Sequence, residues 1–109
     1  MSDASIAGRY PLKQAVIDFA TAATHEVVAA VPGKSIRVVS MFFTVGGPCN
    51  LTWQSGSTPL TGAMEFADSG GMTHESQDGI MWTTKGEALN LDSDAVVQLS
   101  GTITYFERP

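Results

Sequence analysis

Apolar and polar residues alternate along most of this chain with a period close to two, and the helical period of 3.6 is scarcely represented. Residues 1–13 are polar and mixed, with Gly8 and Pro11, and read as an extended arm. Beyond them the alternation predicts short strands. The first is expected over residues 14–21, with Ala15, Ile17 and Phe19 on one face and Val16, Asp18 and Ala20 on the other. Residues 25–31 follow, with Val27, Ala29 and Val31 sharing a face. The run "VPGK" at 31–34 predicts a type II turn, in which Pro32 presets the first central φ and Gly33 takes positive φ at the second.

Residues 34–44 form the longest predicted strand. Strict alternation puts Ile36, Val38 and Phe42 on one face and Val39, Met41 and Phe43 on the other. A strand that is apolar on both faces is usually covered on both sides. In a chain of this size the second cover is expected from another copy, so Val39, Met41 and Phe43 are assigned to an oligomer interface. Residues 49–54 place Cys49, Leu51 and Trp53 inward. Short strands are expected over 62–66, 72–76, 80–84 (with Ile80 and Trp82 on one face) and 87–91. The last, over 96–106, turns Val97, Leu99, Ile103 and Tyr105 inward and Gln98, Ser100, Thr102 and Thr104 outward. About eight short strands separated by Gly- and Ser-rich turns predict an all-β fold, an antiparallel β-sandwich that is jelly-roll-like, over residues 14–109. A small barrel is the alternative closure.

Composition narrows the function. The 109 residues are 43% hydrophobic, which fits one domain with a real but small core. A formal net charge of −5 argues against nucleic acid and against anionic membranes as partners. No apolar run approaches the ~20 residues of a membrane span, and "MSDASIAGRYPLKQ" lacks the apolar segment of a secretory signal, so synthesis in a cytoplasm is expected. The single cysteine, Cys49, rules out an internal disulfide and is expected to be a small buried hydrophobe.

Reactive chemistry is thin. Thr-His-Glu occurs at 24–26 and at 73–75, but neighbouring His and Glu on a strand point to opposite faces, so neither His25–Glu26 nor His74–Glu75 readily supplies two metal ligands. "NLDSDA" spaces Asn90, Asp92 and Asp94 like the opening of a calcium loop. It lacks the glycine and the distal glutamate of that pattern, so a turn in which the Asp side chains accept nearby backbone N–H groups is expected instead. "QSGST" and "DSGG" hold serines without a histidine and aspartate in the order a protease needs. No pair among the 11 acidic residues is singled out for glycoside hydrolysis. Trp53 and Trp82 have aliphatic neighbours and are expected in the core rather than as sugar platforms. The reading is of a chain that is not an enzyme and carries no cofactor or metal.

The segments "PGKSIRVVSMFFTVGG", "LTWQSGSTPLTGAMEFADSGG" and "GIMWTTKGEALNLDSDAVVQLSGTITYFE" resemble small tailed-phage virion proteins of the head decoration, or cement, type, over residues 27–107. The most telling pieces are residues 55–62, 86–91 and 101–105, which are turn and strand signatures. The arm falls outside the match. The resemblance implies a jelly-roll-type sandwich that binds the outside of an assembled capsid, bridges subunits of the major capsid protein and associates with itself as a dimer or trimer. It implies a location on the virion exterior. On this view the arm makes the capsid contacts through Arg9, Tyr10 and Pro11. Another virion part (tail, head fibre or host-adhesion module) and, further off, a glycan-binding module are the competing readings.

Overall fold

The computed structural model describes residues 10–109. Among them there is no helix, and ten strands run in chain order. These are β1 (Lys13–Phe19), β2 (Thr24–Val28), β3 (Ser35–Val45), β4 (Cys49–Ser55), β5 (Thr58–Pro59), β6 (Met64–Phe66), β7 (Gly71–Glu75), β8 (Met81–Trp82), β9 (Leu89–Ser93) and β10 (Leu99–Arg108). They form two antiparallel sheets packed as a β-sandwich. The first has the order β1-β10-β3-β7, with β8 also on β3; the second has the order β2-β9-β4-β5, with β6 also on β4. The expected strands are thus present, with shifted ends, and β5 is an addition.

The turn at 31–34 forms as its residues dictate. Gly33 sits at φ +76°, and the Lys34 N–H donates to the Val31 carbonyl at 3.1 Å. The core lies between the sheets. Ile17 from β1, Leu51 and Trp53 from β4, Leu89 and Leu91 from β9, and Leu99 and Ile103 from β10 are all buried there. Each such side chain stabilises the fold by about 1.5–3 kcal/mol relative to exposure. The alternation predicted for β1, β4 and β10 places these residues correctly. Cys49 is buried as expected; burial pushes its thiol pKa up, and the neighbouring Asp94 adds to the shift.

The reading of β3 as an interface strand is overturned. Ser40 pairs with Thr104 and Val38 with Tyr105, so Val39 has no opposite residue on β10. This β-bulge inserts one residue and reverses the phase of the alternation. Ile36 and Val38 before it, and Met41, Phe43 and Val45 after it, therefore all face the same core. Val39, Met41 and Phe43 are buried within the single chain and present almost no surface to a second copy. The apolar residues on both nominal faces of β3 reflect one buried side read through a phase break. Phe42, expected inward, is 57% exposed for the same reason.

Two further corrections concern the short strands. Trp82 is 52% exposed, and its neighbour Met81 is buried in its place. Residues 29–31 leave the second strand after a bulge between Glu26 and Val28, so Val28 rather than Ala29 is the buried residue.

Buried hydroxyls secure the strand ends. Thr83 Oγ1 accepts the Ile36 N–H at 2.9 Å, which satisfies a buried backbone donor. The Ser55 hydroxyl donates to Glu87 at 2.5 Å and accepts the Thr84 N–H at 2.9 Å. Ser55 in "QSGST" is therefore a structural tie.

Candidate functional site

The outward positions of the first sheet line up in rows, because β1, β10, β3 and β7 pair in register. One row is Val16–Thr102–Phe42–Thr73. On one side of it lies Asp18–Ser100–Thr44–Gly71, and on the other Gln14–Thr104–Ser40–Glu75. Ten of these twelve side-chain positions are uncharged. Asp18 and Glu75 occupy opposite corners, and Asp18 accepts a hydrogen bond from the Gln98 amide at 2.8 Å. Val16, on edge strand β1, is 69% exposed and Phe42, on β3, 57%, so this row carries two exposed apolar side chains separated by Thr102.

The face also has relief. Phe42 stands between two open hollows and borders both. One, of about 570 Å³, is bounded by Thr44, Gly70, Gly71, Thr73, Ser100 and Gly101. The other, of about 230 Å³, is bounded by Ser40, Thr73, His74 and Glu75. The larger hollow depends on close strand approach. A Cβ at Gly71 would strike the Phe43 carbonyl oxygen, and one at Gly101 would come within 2.6 Å of the Phe43 Cα.

Beyond the bulge the outer face ends in an aromatic strip. Phe106 pairs across the sheet with Arg37, and Arg37 with Trp82. The Arg37 guanidinium lies 4.6 Å from the centre of the Trp82 ring, a cation–π contact that covers one face of the indole. Tyr10 stacks on Phe106, with ring centroids 5.3 Å apart and planes 4° apart. The last described residues of the arm are thereby pinned to the end of this sheet. Of the three residues assigned to capsid contact, Tyr10 is half-buried in that stack, Pro11 is exposed, and Arg9 lies outside the described residues.

The remaining candidates do not converge. His25 is on β2, at the edge of the second sheet; its ring stacks on Phe19 with centroids 4.3 Å apart, and its Nε2 lies 2.8 Å from the Thr21 carbonyl oxygen. His74 is on β7, an edge strand of the first sheet. Among the described residues no three His, Cys, Asp or Glu side chains gather as a metal site would require. Asn90, Asp92 and Asp94 do not form a local turn network. Asp92 accepts from Thr24 Oγ1 at 2.8 Å, and the Asn90 amide donates to the Gly56 carbonyl at 2.8 Å. Asp94 accepts the Asn50 backbone N–H at 2.7 Å and its side-chain amide at 2.8 Å. These two bonds, the backbone one first, hold the Asp94 carboxyl below the ordinary carboxylate range. The expectation that these side chains serve backbone donors holds for Asp94, though across strands rather than within the turn. Trp53 is 1% exposed and belongs to the core, as expected.

Sequence reasoning missed Phe42 and Trp82 as surface residues. The signal for Phe42 was available: buried apolar positions at 36 and 38, then at 41, 43 and 45, betray the extra residue between them. No helix among the described residues is long and apolar enough to cross a membrane. No family model, no curated protein and no solved structure matches this chain.

Proposed function

We propose that this chain is an attachment protein of a larger protein shell, of the phage head decoration type, which binds the outside of the assembled particle and bridges subunits of its major capsid protein. The observation that carries the reading is the sparsely charged outer face of the first sheet, with Phe42 and Val16 exposed in one row across it. Phe42 and Val16 stand two strands apart with Thr102 between them, and exposed apolar side chains on a face with so little charge support cover by protein. The strand orders support the jelly-roll-like part of this reading. With β5 and β6 counted as one strand, and β7 and β8 as another, the chain passes repeatedly between sheets whose orders are β1-β10-β3-β7 and β2-β9-β4-β6.

The physical logic is linkage. A protein that binds only the assembled shell stabilises that shell by mass action, and several weak contacts per oligomer supply avidity. The arm end is the assigned shell contact. Deleting residues 1–12, which removes Arg9, Tyr10 and Pro11, is expected to leave a folded domain that no longer sediments with assembled shells. Undiminished co-sedimentation would remove the arm from the reading, and failure of the intact chain to bind assembled shells would remove the reading itself.

One observation favours a second reading. Trp82 is exposed and flat, as a sugar platform would be, although Arg37 occupies one face. A glycan module predicts that tryptophan fluorescence responds to a sugar panel and that Trp82→Ala abolishes the response.

A further inference from the structure

We infer that the outer face of the first sheet is a two-fold interface between copies of this chain, in which Phe42 of each copy enters the larger hollow beside Phe42 of the other. The inference supplies the self-association surface of the attachment reading and replaces the buried trio of β3.

Three observations select a second copy as the occupant. The first is shape. A knob and a hollow sit side by side on the same face, Phe42 against the depression bounded by Thr44, Gly71, Thr73 and Ser100. A two-fold interface uses one surface twice, so residue i meets j while j meets i. A face carrying both halves of a fit is what such symmetry requires. The hollow, at about 570 Å³, has room for a phenyl side chain.

The second is charge. Each copy carries a formal −5, so two copies repel except where charge is sparse. The outer face of the first sheet is that place, with carboxylates only at the Asp18 and Glu75 corners. A basic partner would find little there; it would be drawn to the second sheet, whose outward positions include Glu26, Glu65, Asp92 and Asp94.

The third is size. Four strands about 4.8 Å apart, over about eight residues at roughly 3.3 Å each, present on the order of 500 Å² per copy. Two such faces bury about 1,000 Å² in total, near the lower limit for specific association. The dimer is therefore expected to be reversible in the micromolar range rather than obligate.

The test is sedimentation of the full chain across concentration. The wild type is expected to move from monomer to dimer as concentration rises from about 1 μM to 100 μM. Phe42→Glu adds a charge at an exposed position and is expected to weaken dimerisation at least tenfold with an unchanged circular dichroism spectrum. Thr73→Lys in the hollow is expected to do the same. Mixing the two variants is expected to restore a heterodimer, since one contact gains a Glu–Lys pair and the other keeps a native Phe42 in a native hollow. A misfolded variant would not be rescued in this way.

A wild type that stays monomeric to 100 μM overturns the inference, as does a trimer or a dimer indifferent to Phe42→Glu. A monomeric wild type whose shell binding falls with Phe42→Glu also overturns it and gives the face to the shell protein. The attachment reading fails separately: a chain that dimerises through Phe42 yet ignores assembled shells refutes that reading and leaves the interface standing.

Discussion

The outer faces of the two sheets are finished in opposite ways. On the first, Val16, Thr102, Phe42 and Thr73 run across the middle, the carboxylates of Asp18 and Glu75 sit at the corners, and Arg37 lies at the end beyond the bulge. On the second, Thr24–Asp92–Thr52 and Glu26–Asn90–Gln54 form the rows, with Asn50 paired to Glu65 at one side. That second face is cross-linked by its own side chains: Thr24 donates to Asp92, and Asn50 to Asp94. Its polar groups are satisfied in a solvated setting, so it needs nothing further. The first face has few such links and exposes a phenylalanine. The same strand architecture thus carries one surface dense in charged and polar groups and one with few charges and an exposed phenylalanine, and only the outward-facing alternate residues distinguish them.

The contrast can be broken most severely by a charge on the buried side of β3. Phe43→Asp would place a carboxylate in the core at a position only 2% exposed, and loss of cooperative thermal unfolding, followed by circular dichroism, is expected. Next in size is a comparison of adjacent residues. Met41→Ala opens the core and is expected to cost about 2–5 kcal/mol in urea unfolding. Phe42→Ala, measured in the dilute monomer, is expected to change stability by no more than ~0.5 kcal/mol. Equal costs at the two positions would contradict the phase reversal.

A smaller effect is expected on the second face. Hydrogen bonds from Asn50 hold the Asp94 carboxyl below its unfolded value, so folding favours the ionised form. That contribution is complete above the ordinary carboxylate range and disappears as pH falls through the lowered folded value. Asp94→Ala should therefore melt below the wild type at pH 7, with the gap closing in acid; a gap that persists at pH 2 would show that the loss is not tied to ionisation. A still smaller effect is expected at Lys13–Glu107, an ion pair at 2.9 Å whose lysine is half-exposed. Lys13→Ala should move the neutral-pH melting midpoint less than Met41→Ala or Asp94→Ala, since exposed pairs contribute little and salt screens them.

Much of this architecture was legible because alternation reports directly on which residues of a regular strand face inward. Ile17, Leu51, Trp53, Leu99 and Ile103 all followed that rule. The rule failed where the ladder itself is irregular. A bulge depends on how β3 meets β10, some 60 residues later in the chain, and no local feature of "RVVSMFF" announces it except the break in phase. Trp82 escaped for a related reason. β8 is only two residues long, too short to establish an alternation, and its facing is set by pairing with Arg37 and Val38. The candidate site inherited both errors, since it was built on β3. The side chains of Asn90, Asp92 and Asp94 find their partners, Gly56, Thr24 and Asn50, on distant strands and turns that local reading does not reach.

The position of β10 has a consequence for synthesis. It lies between β1 and β3, which make no hydrogen bonds to each other, and β9 lies likewise between β2 and β4. Each layer keeps an inner seat open for the last of its own strands to be synthesised, β10 in the first and β9 in the second. A nascent chain therefore carries unpaired edges until translation passes Arg108, and folding must wait for contacts between distant parts of the chain. Stalled fragments of this protein should be sticky and short-lived, and a cell making many copies would gain from releasing each one quickly.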